Sequence, residues 1–146
     1  MLDNEIVFRK AEPSDYQSII SVQPAWWGGR DLTYLLPELF LDHFCDTSFV
    51  VEHNAELVGF LVGFMSPARP KEAYIHFVGV HPDFRKAGLG KALYEKFFEL
   101  CRKQGRTIVR AITSPVNTGS VAYHLRMGFQ VEQGGKKVHF TKYLDA

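Results

Sequence analysis

Residues 73–104 set two opposite hydrophobic patterns end to end. Ala73-Tyr74-Ile75-His76-Phe77-Val78-Gly79-Val80 is almost wholly apolar, whereas Leu89, Ala92, Leu93, Phe97, Leu100 and Cys101 recur at three- and four-residue steps. The first pattern reads as a strand covered on both faces. The second reads as a helix with one apolar face, running from Gly88 to about Gln104 and stopped by Gly105. A strand that needs cover on both faces and passes directly into a helix confines the chain to a layered α/β architecture.

The remaining segments supply the layers. Alternation across Ile6 to Lys10 predicts a first strand, and Pro13, Ser14 and Asp15 open a helix carrying Ile19, Ile20 and Val22. Trp26-Trp27-Gly28-Gly29-Arg30 reads as a turn-rich connector, and a second helix is predicted over Leu35 to Cys45, with Pro37 near its beginning. Phe49 to Glu52 and Leu57 to Phe64 flank the polar turn His53-Asn54-Ala55-Glu56 as a hairpin. After a loop with Pro67 and Pro70 comes the central strand, then the long helix. A strand over Thr107 to Thr113, a helix from Asn117 to about Met127 ending at Gly128, and strands at Phe129 to Glu132 and Lys137 to Tyr143 complete the order. No repeat, low-complexity tract or linker interrupts it, so residues 1–146 are expected to form one domain.

Composition removes several function classes. With 17 Lys+Arg against 16 Asp+Glu the net charge is +1, and the charges are interspersed, leaving no basic stripe for a nucleic-acid backbone. No segment reaches the roughly 18 uninterrupted apolar residues that cross a bilayer, and Met1 to Lys10 carries no apolar core of a signal peptide, so a cytoplasmic location and no membrane partner are expected. Cys45 and Cys101 lie in separate helix-like surroundings; two free thiols are expected unless the fold brings them together. The six histidines show neither His-Glu-x-x-His nor a ligand spacing with the cysteines, which points away from a metal site. Ser120 lacks the Gly-x-Ser-x-Gly elbow of a serine hydrolase.

Chemistry concentrates between the central strand and the long helix. Gly88 and Gly90 permit a tight backbone, the helix start adds its positive dipole end, and Arg85, Lys86 and Lys91 add cationic charge. These are the parts of an anion site, although a strand-to-helix turn also uses glycines and solvated basic residues for shape alone. Two phosphate loops fail here. A dinucleotide fingerprint needs glycine where Leu93 stands, and a nucleoside-triphosphate loop needs glycine at Arg85 and Ser or Thr at Ala92.

Arg85-x-x-Gly88-x-Gly90 directly after Gly79-Val80-His81-Pro82 resembles the pyrophosphate motif of the GNAT superfamily, the acyl-CoA-dependent N-acyltransferases. Asn117-x-x-Ser120-x-x-Tyr123 followed by Leu125-Arg126-Met127-Gly128-Phe129 resembles the family's second motif. The resemblance covers essentially the whole chain. It implies a mixed, mostly antiparallel central sheet of about seven strands flanked by about four helices. It also implies acetyl-CoA as co-substrate, with the main chain of Lys86, Ala87, Gly88, Leu89, Gly90 and Lys91 around the pyrophosphate and Arg85 beside it. The strand edge at Val78, Gly79 and Val80 would face the pantetheine arm, and Asn117 and Ser120 would lie next to the cofactor. Gly79 fits independently as a site of bulging or close backbone approach, or as a packing glycine under a bulky neighbour.

Acyl transfer from a thioester needs a neutral amine, a donor toward the carbonyl oxygen and a proton for the leaving sulfur. The resemblance places Tyr123 as general acid and a main-chain N–H near Gly79 or Val80 at the oxygen. The base is less marked: His76 is the candidate because imidazole as a side-chain class can carry a proton near neutral pH, a hydrogen-bonded sheet histidine is the plain alternative, and ordered water would serve as well. The connector borders the family's acceptor site, so Trp26, Trp27 and Arg30 are candidate substrate contacts, two rings for a cationic or aromatic amine and a guanidinium for a carboxylate. Both tryptophans would equally serve as core. The expected activity is direct acetylation of a small primary amine, with a possible homodimer as the assembly. The alternatives are a non-catalytic acyl-CoA sensor and a peptide or protein N-acetyltransferase.

Overall fold

The computed structural model describes residues 5–144. Seven strands are β1 (Ile6–Lys10), β2 (Phe49–His53), β3 (Glu56–Met65), β4 (Glu72–Val80), β5 (Ile108–Thr113), β6 (Gln130–Gly134) and β7 (Lys137–Tyr143). Four α-helices are α1 (Asp15–Trp26), α2 (Leu39–His43), α3 (Leu89–Lys103) and α4 (Thr118–Arg126). The sheet order β1-β2-β3-β4-β5-β7-β6 puts β4 in the middle, where its apolar run requires it to be. β1–β2, β2–β3, β5–β7 and β6–β7 pair antiparallel. β4 and β5 pair in parallel through Glu72–Tyr74 and Ile108–Arg110, at the N-terminal ends of both strands, as the intervening α3 crossover demands. Among the described residues no helix is long and apolar enough to cross a membrane, and Cys45 and Cys101 are free thiols.

The described residues pack as two compact units, each with its own interior: residues 5–63 with 77–97, and residues 64–76 with 98–144. In the first, Ile19, Trp26, Leu36, Leu41, Val50, Phe60 and Val62 form a buried cluster between α1, α2 and the strands. The start of α1 is fixed by charge. Asp15 accepts from both Nη atoms of Arg9 at 2.9 Å and from the Glu12 main chain at 2.7 Å, and Arg9 also meets Glu52 at 3.1 Å. In the second, Phe98, Phe129 and Phe140 gather around His124, which stacks on Phe140 at 3.9 Å.

One predicted element is corrected. Leu35 to Cys45 is not a continuous helix but a 3₁₀ turn at Thr33–Leu35, the five-residue α2, and a second 3₁₀ turn at Cys45–Thr47. Leu36 explains the break: it precedes Pro37, whose ring excludes the helical region, and it adopts φ −127°, ψ 76°. The connector is also shorter than expected, because Trp26 is the last residue of α1 and Trp27 its cap. Gly28 and Gly29 then turn the chain with φ of +68° and +96°.

Candidate active site

In the first unit, the C-terminal half of β4 leads through a short 3₁₀ turn at Pro82–Phe84 into residues 85–88 and then α3. His81 anchors the exit. Its N–H donates to Val58 O at 2.9 Å, and its Nδ1 accepts from the Asp83 N–H at 3.0 Å. Gly88 takes φ +82°, a conformation that L side chains rarely hold, and a Cβ there would meet nothing within 4 Å. The first N–H of the α3 ladder is that of Ala92, donating to Gly88 O at 3.0 Å. The N–H groups of Leu89, Gly90 and Lys91 therefore precede the ladder and point out of the helix start. Lys86, Ala87, Gly88 and Lys91 are exposed around this turn, Gly90 is half-buried, and Leu89 is buried beneath it. A glycine open on its side-chain face, a set of forward-pointing N–H donors and two exposed lysines fit a pyrophosphate.

Arg85 is also exposed, but its guanidinium serves the fold. Nε donates to Val80 O at 3.0 Å and Nη2 to Trp26 O, so the side chain ties the turn both to the end of β4 and to the end of α1. Trp26 is buried at 5% exposure, stacked on Phe60 at 5.8 Å and edge-on to His81 at 5.6 Å. Trp27 is half-buried and lies nearly parallel to Phe77 at 5.2 Å. The absence of a side chain at Gly79 makes this stack possible: a Cβ there would fall 2.7 Å from the Phe60 ring and 2.8 Å from Trp27. Val78 and Val80, on either side of it, are half-buried. Arg30 is exposed on the connector, whose path is set by a residue the sequence did not single out. Gln23, 1% exposed, donates to Arg30 O at 3.0 Å and accepts from the Leu32 N–H at 2.7 Å. The only sequence signal for it was an amide on the apolar side of α1.

In the second unit, α4 is capped by Asn117, whose Oδ1 accepts from the Ser120 N–H at 3.2 Å while Nδ2 donates to Thr113 Oγ1 at 3.3 Å. The Asn-x-x-Ser spacing is thus a cap, with Ser120 at the third helical position. Tyr123, one turn on, is half-buried with its hydroxyl oxygen inside. Burial pushes this phenol above its ordinary value, against a smaller opposing pull from Arg126, and the group stays protonated at neutral pH. His124 beside it is buried, and desolvation lowers its pKa despite the 2.8 Å contact of Nδ1 with Ser120 O. The contact fits a neutral ring donating from Nδ1. His76 is half-buried on β4, in a stretch where Ala73 and Ile75 face the interior and Glu72, Tyr74 and His76 alternate with them.

The acetyltransferase (GNAT) family profile matches residues 14–129. An uncharacterized N-acetyltransferase of Methanocaldococcus jannaschii is 37% identical over 92 residues, 60% of this chain and 41% of that protein. The L-2,4-diaminobutyric acid acetyltransferase of Nocardia farcinica is 32% identical over 84 residues, 58% of this chain and 44% of that protein. The chain thus matches less than half the length of each of these relatives. Among solved structures, Ard1 from Thermoplasma volcanium superposes with a TM-score of 0.81 at 23% identity, covering 97% of this chain and 99% of that one. A diaminobutyrate acetyltransferase from Paenibacillus lautus, in complex with L-2,4-diaminobutyric acid and coenzyme A, gives a TM-score of 0.74 at 23% identity, with 96% and 95% covered. These likenesses share the seven-stranded sheet and four helices described above. With a profile running from Ser14 at the start of α1 to Phe129 beyond α4, this chain belongs to the acetyltransferase (GNAT) family.

Proposed function

We propose that the chain is an N-acetyltransferase that moves the acetyl group of acetyl-CoA directly to the primary amine of a small molecule. The observation that carries this reading is the turn from Arg85 to Lys91, with its left-handed open glycine and the unladdered N–H groups at the start of α3. Main-chain N–H groups over Lys86 to Lys91, other than that of Ala87, which donates to Phe84 O at 3.1 Å, would hold the pyrophosphate, with the lysine side chains neutralising its charge. Acetyl-CoA, when bound, supplies an activated thioester.

The chain's own groups then have three tasks. A main-chain N–H near Gly79 or Val80 steadies the carbonyl oxygen as the amine nitrogen forms its bond to the carbonyl carbon. Tyr123, protonated at neutral pH, gives its proton to the sulfur as the carbon–sulfur bond breaks. The amine must surrender one proton, which His76 or ordered water receives. Asn117 and Ser120 hold Tyr123 in place by fixing the first turn of α4. Trp27 and Arg30, on the connector, are the proposed acceptor contacts, with Trp26 forming the wall behind them. The diaminobutyrate acetyltransferases among the relatives support a small amine as acceptor.

Calorimetric titration with acetyl-CoA tests the reading. Gly88→Glu and Gly90→Glu each place bulk and negative charge where the pyrophosphate sits and are expected to abolish binding while α3 still folds. Unchanged affinity in both variants contradicts the assignment.

A further inference from the structure

The second unit contains a cavity of about 410 Å³ lined by Phe64, Ser66, Arg69, Glu72, Tyr74 and Arg110, none of which carries a role assigned above. Its volume lies near the lower end of the range for small-ligand sites. Its floor is apolar, with Phe64 and Tyr74 stacked at 5.4 Å and 16°. Its rim is charged and organised. Glu72, with only 15% of its side chain exposed, accepts from Arg110 Nε at 2.9 Å and Nη2 at 3.3 Å, and Arg110 Nη1 donates to Thr141 Oγ1 at 3.0 Å. Each Glu72 oxygen therefore keeps a lone pair, and Arg110 keeps N–H groups beyond those already used. Arg69 adds a second guanidinium that pairs with no carboxylate among the described residues.

The loop that carries Arg69 is locked before any ligand arrives. Arg106 Nη1 donates to the main-chain oxygens of Ser66 at 2.7 Å, Arg69 at 3.1 Å and Glu72 at 3.0 Å. Ser66 Oγ accepts from the Arg69 N–H at 3.1 Å, which leaves its own proton free to donate. The cavity thus sets two cationic forks and a hydroxyl beside one partly used carboxylate, over an aromatic floor, with a net charge of one positive.

We propose that this cavity binds the ammonium and carboxylate head of a free amino acid. The carboxylate would take Arg69, the spare N–H groups of Arg110 and the Ser66 hydroxyl; the ammonium would take the remaining lone pairs of Glu72; the side chain would lie on Phe64 and Tyr74. A lone anion would leave the remaining lone pairs of Glu72 unused, and a simple amine would leave Arg69 unmatched, whereas a zwitterion engages both. The inference goes beyond the proposed function: at roughly 3.3 Å per residue along β4, Glu72 lies about 23 Å from Gly79, so the bound head is a ligand in its own right and not the amine that meets the thioester.

The test is titration of the full chain with L-phenylalanine, L-methionine and L-lysine, each beside its amide and its N-acetyl form, followed by calorimetry and saturation-transfer NMR. At least one free amino acid is expected to bind, with its amide and its N-acetyl form at least tenfold weaker. Arg69→Gln, on the exposed loop, is expected to lose at least tenfold while keeping the thermal midpoint, and Arg69→Lys to recover part of the loss. Absence of binding by all three amino acids, equal binding of the capped forms, or unchanged binding in Arg69→Gln overturns the inference. Acetyl-CoA is titrated into the same samples. Acetyl-CoA binding without amino-acid binding overturns this inference alone, and amino-acid binding without acetyl-CoA binding overturns the proposed function alone.

Discussion

The guanidinium of Arg85 donates to the main-chain oxygen of Trp26, fifty-nine residues away, and to that of Val80. One side chain therefore joins the glycine turn to the end of α1 and to the strand that precedes the turn. A mobile turn would spread its N–H donors over many directions and bind a pyrophosphate less well, so the two bonds pre-organise the site. Arg85→Ala is expected to cost roughly 1–2 kcal/mol of stability and to weaken acetyl-CoA binding several-fold. Arg85→Lys should recover little, because an ammonium cannot donate in the geometry of the planar fork. Urea denaturation and calorimetry check both, and wild-type affinity in the alanine variant would show that the turn holds its shape unaided.

Gly79→Ala would bring its methyl group within 2.8 Å of Trp27 and 2.7 Å of Phe60. Neither ring is free to step aside, since Trp27 stacks on Phe77 and Phe60 on Trp26. A destabilisation of about 1–3 kcal/mol is expected, together with a shift in tryptophan emission as Trp27 is displaced. Denaturation followed by fluorescence reads both at once; an alanine variant as stable as the parent with an unchanged spectrum contradicts the packing described.

Much of this was legible in the sequence, for a physical reason. Strong periodicities such as Ala73 to Val80 and Leu89 to Cys101 leave little choice of element, and Arg85-x-x-Gly88-x-Gly90 declares its turn because few residues accept the backbone there. Where periodicity was weak, tertiary context decided. The stretch from Leu35 to Cys45 has helical spacing, yet Pro37 acts on Leu36 and breaks it into short pieces. The unequal burial of Trp26 and Trp27 depended on where α1 ends, which the sequence marked poorly. The Glu72–Arg110 pair lay beyond sequence reasoning altogether, because the register of two strands separated by a helix brings it together.

Tyr123→Phe removes a hydroxyl whose proton is held to higher pH than usual by burial. Turnover is expected to fall by about tenfold to a hundredfold while the dissociation constant of acetyl-CoA stays the same. In the parent, any alkaline loss of activity assigned to this group should lie above the ordinary phenol range, since its pKa is raised. Steady-state kinetics across pH tests this, and wild-type turnover at every pH removes the residue from the mechanism.

His124 predicts how stability responds to acid. Its folded pKa is depressed by burial, so the unfolded chain takes up a proton that the folded chain refuses. The contribution is present above the ordinary imidazole pKa of 6.5 and is lost as pH falls toward the folded value. Asp15 acts with the same sign at lower pH: burial raises its pKa, the bonds from Arg9 and Glu12 outweigh that, and the net lowering is forfeited as the carboxylate is protonated. His124→Phe retains a ring against Phe140 and should flatten the stability profile as pH falls below the ordinary imidazole pKa of 6.5. A slope identical to the parent's would assign that pH dependence to another group.

Acetyl-group transfer itself is the most direct measure of the account. The protein is incubated with acetyl-CoA and a pool of free amino acids, polyamines and short peptides, with products identified by mass spectrometry and free CoA followed in parallel. The expected result is a small amine that gains one acetyl group in step with CoA release, and no product in Gly88→Glu. Acetyl-CoA binding with neither product nor CoA release would contradict a catalytic role, and acetylation confined to the peptides would contradict a small-molecule acceptor.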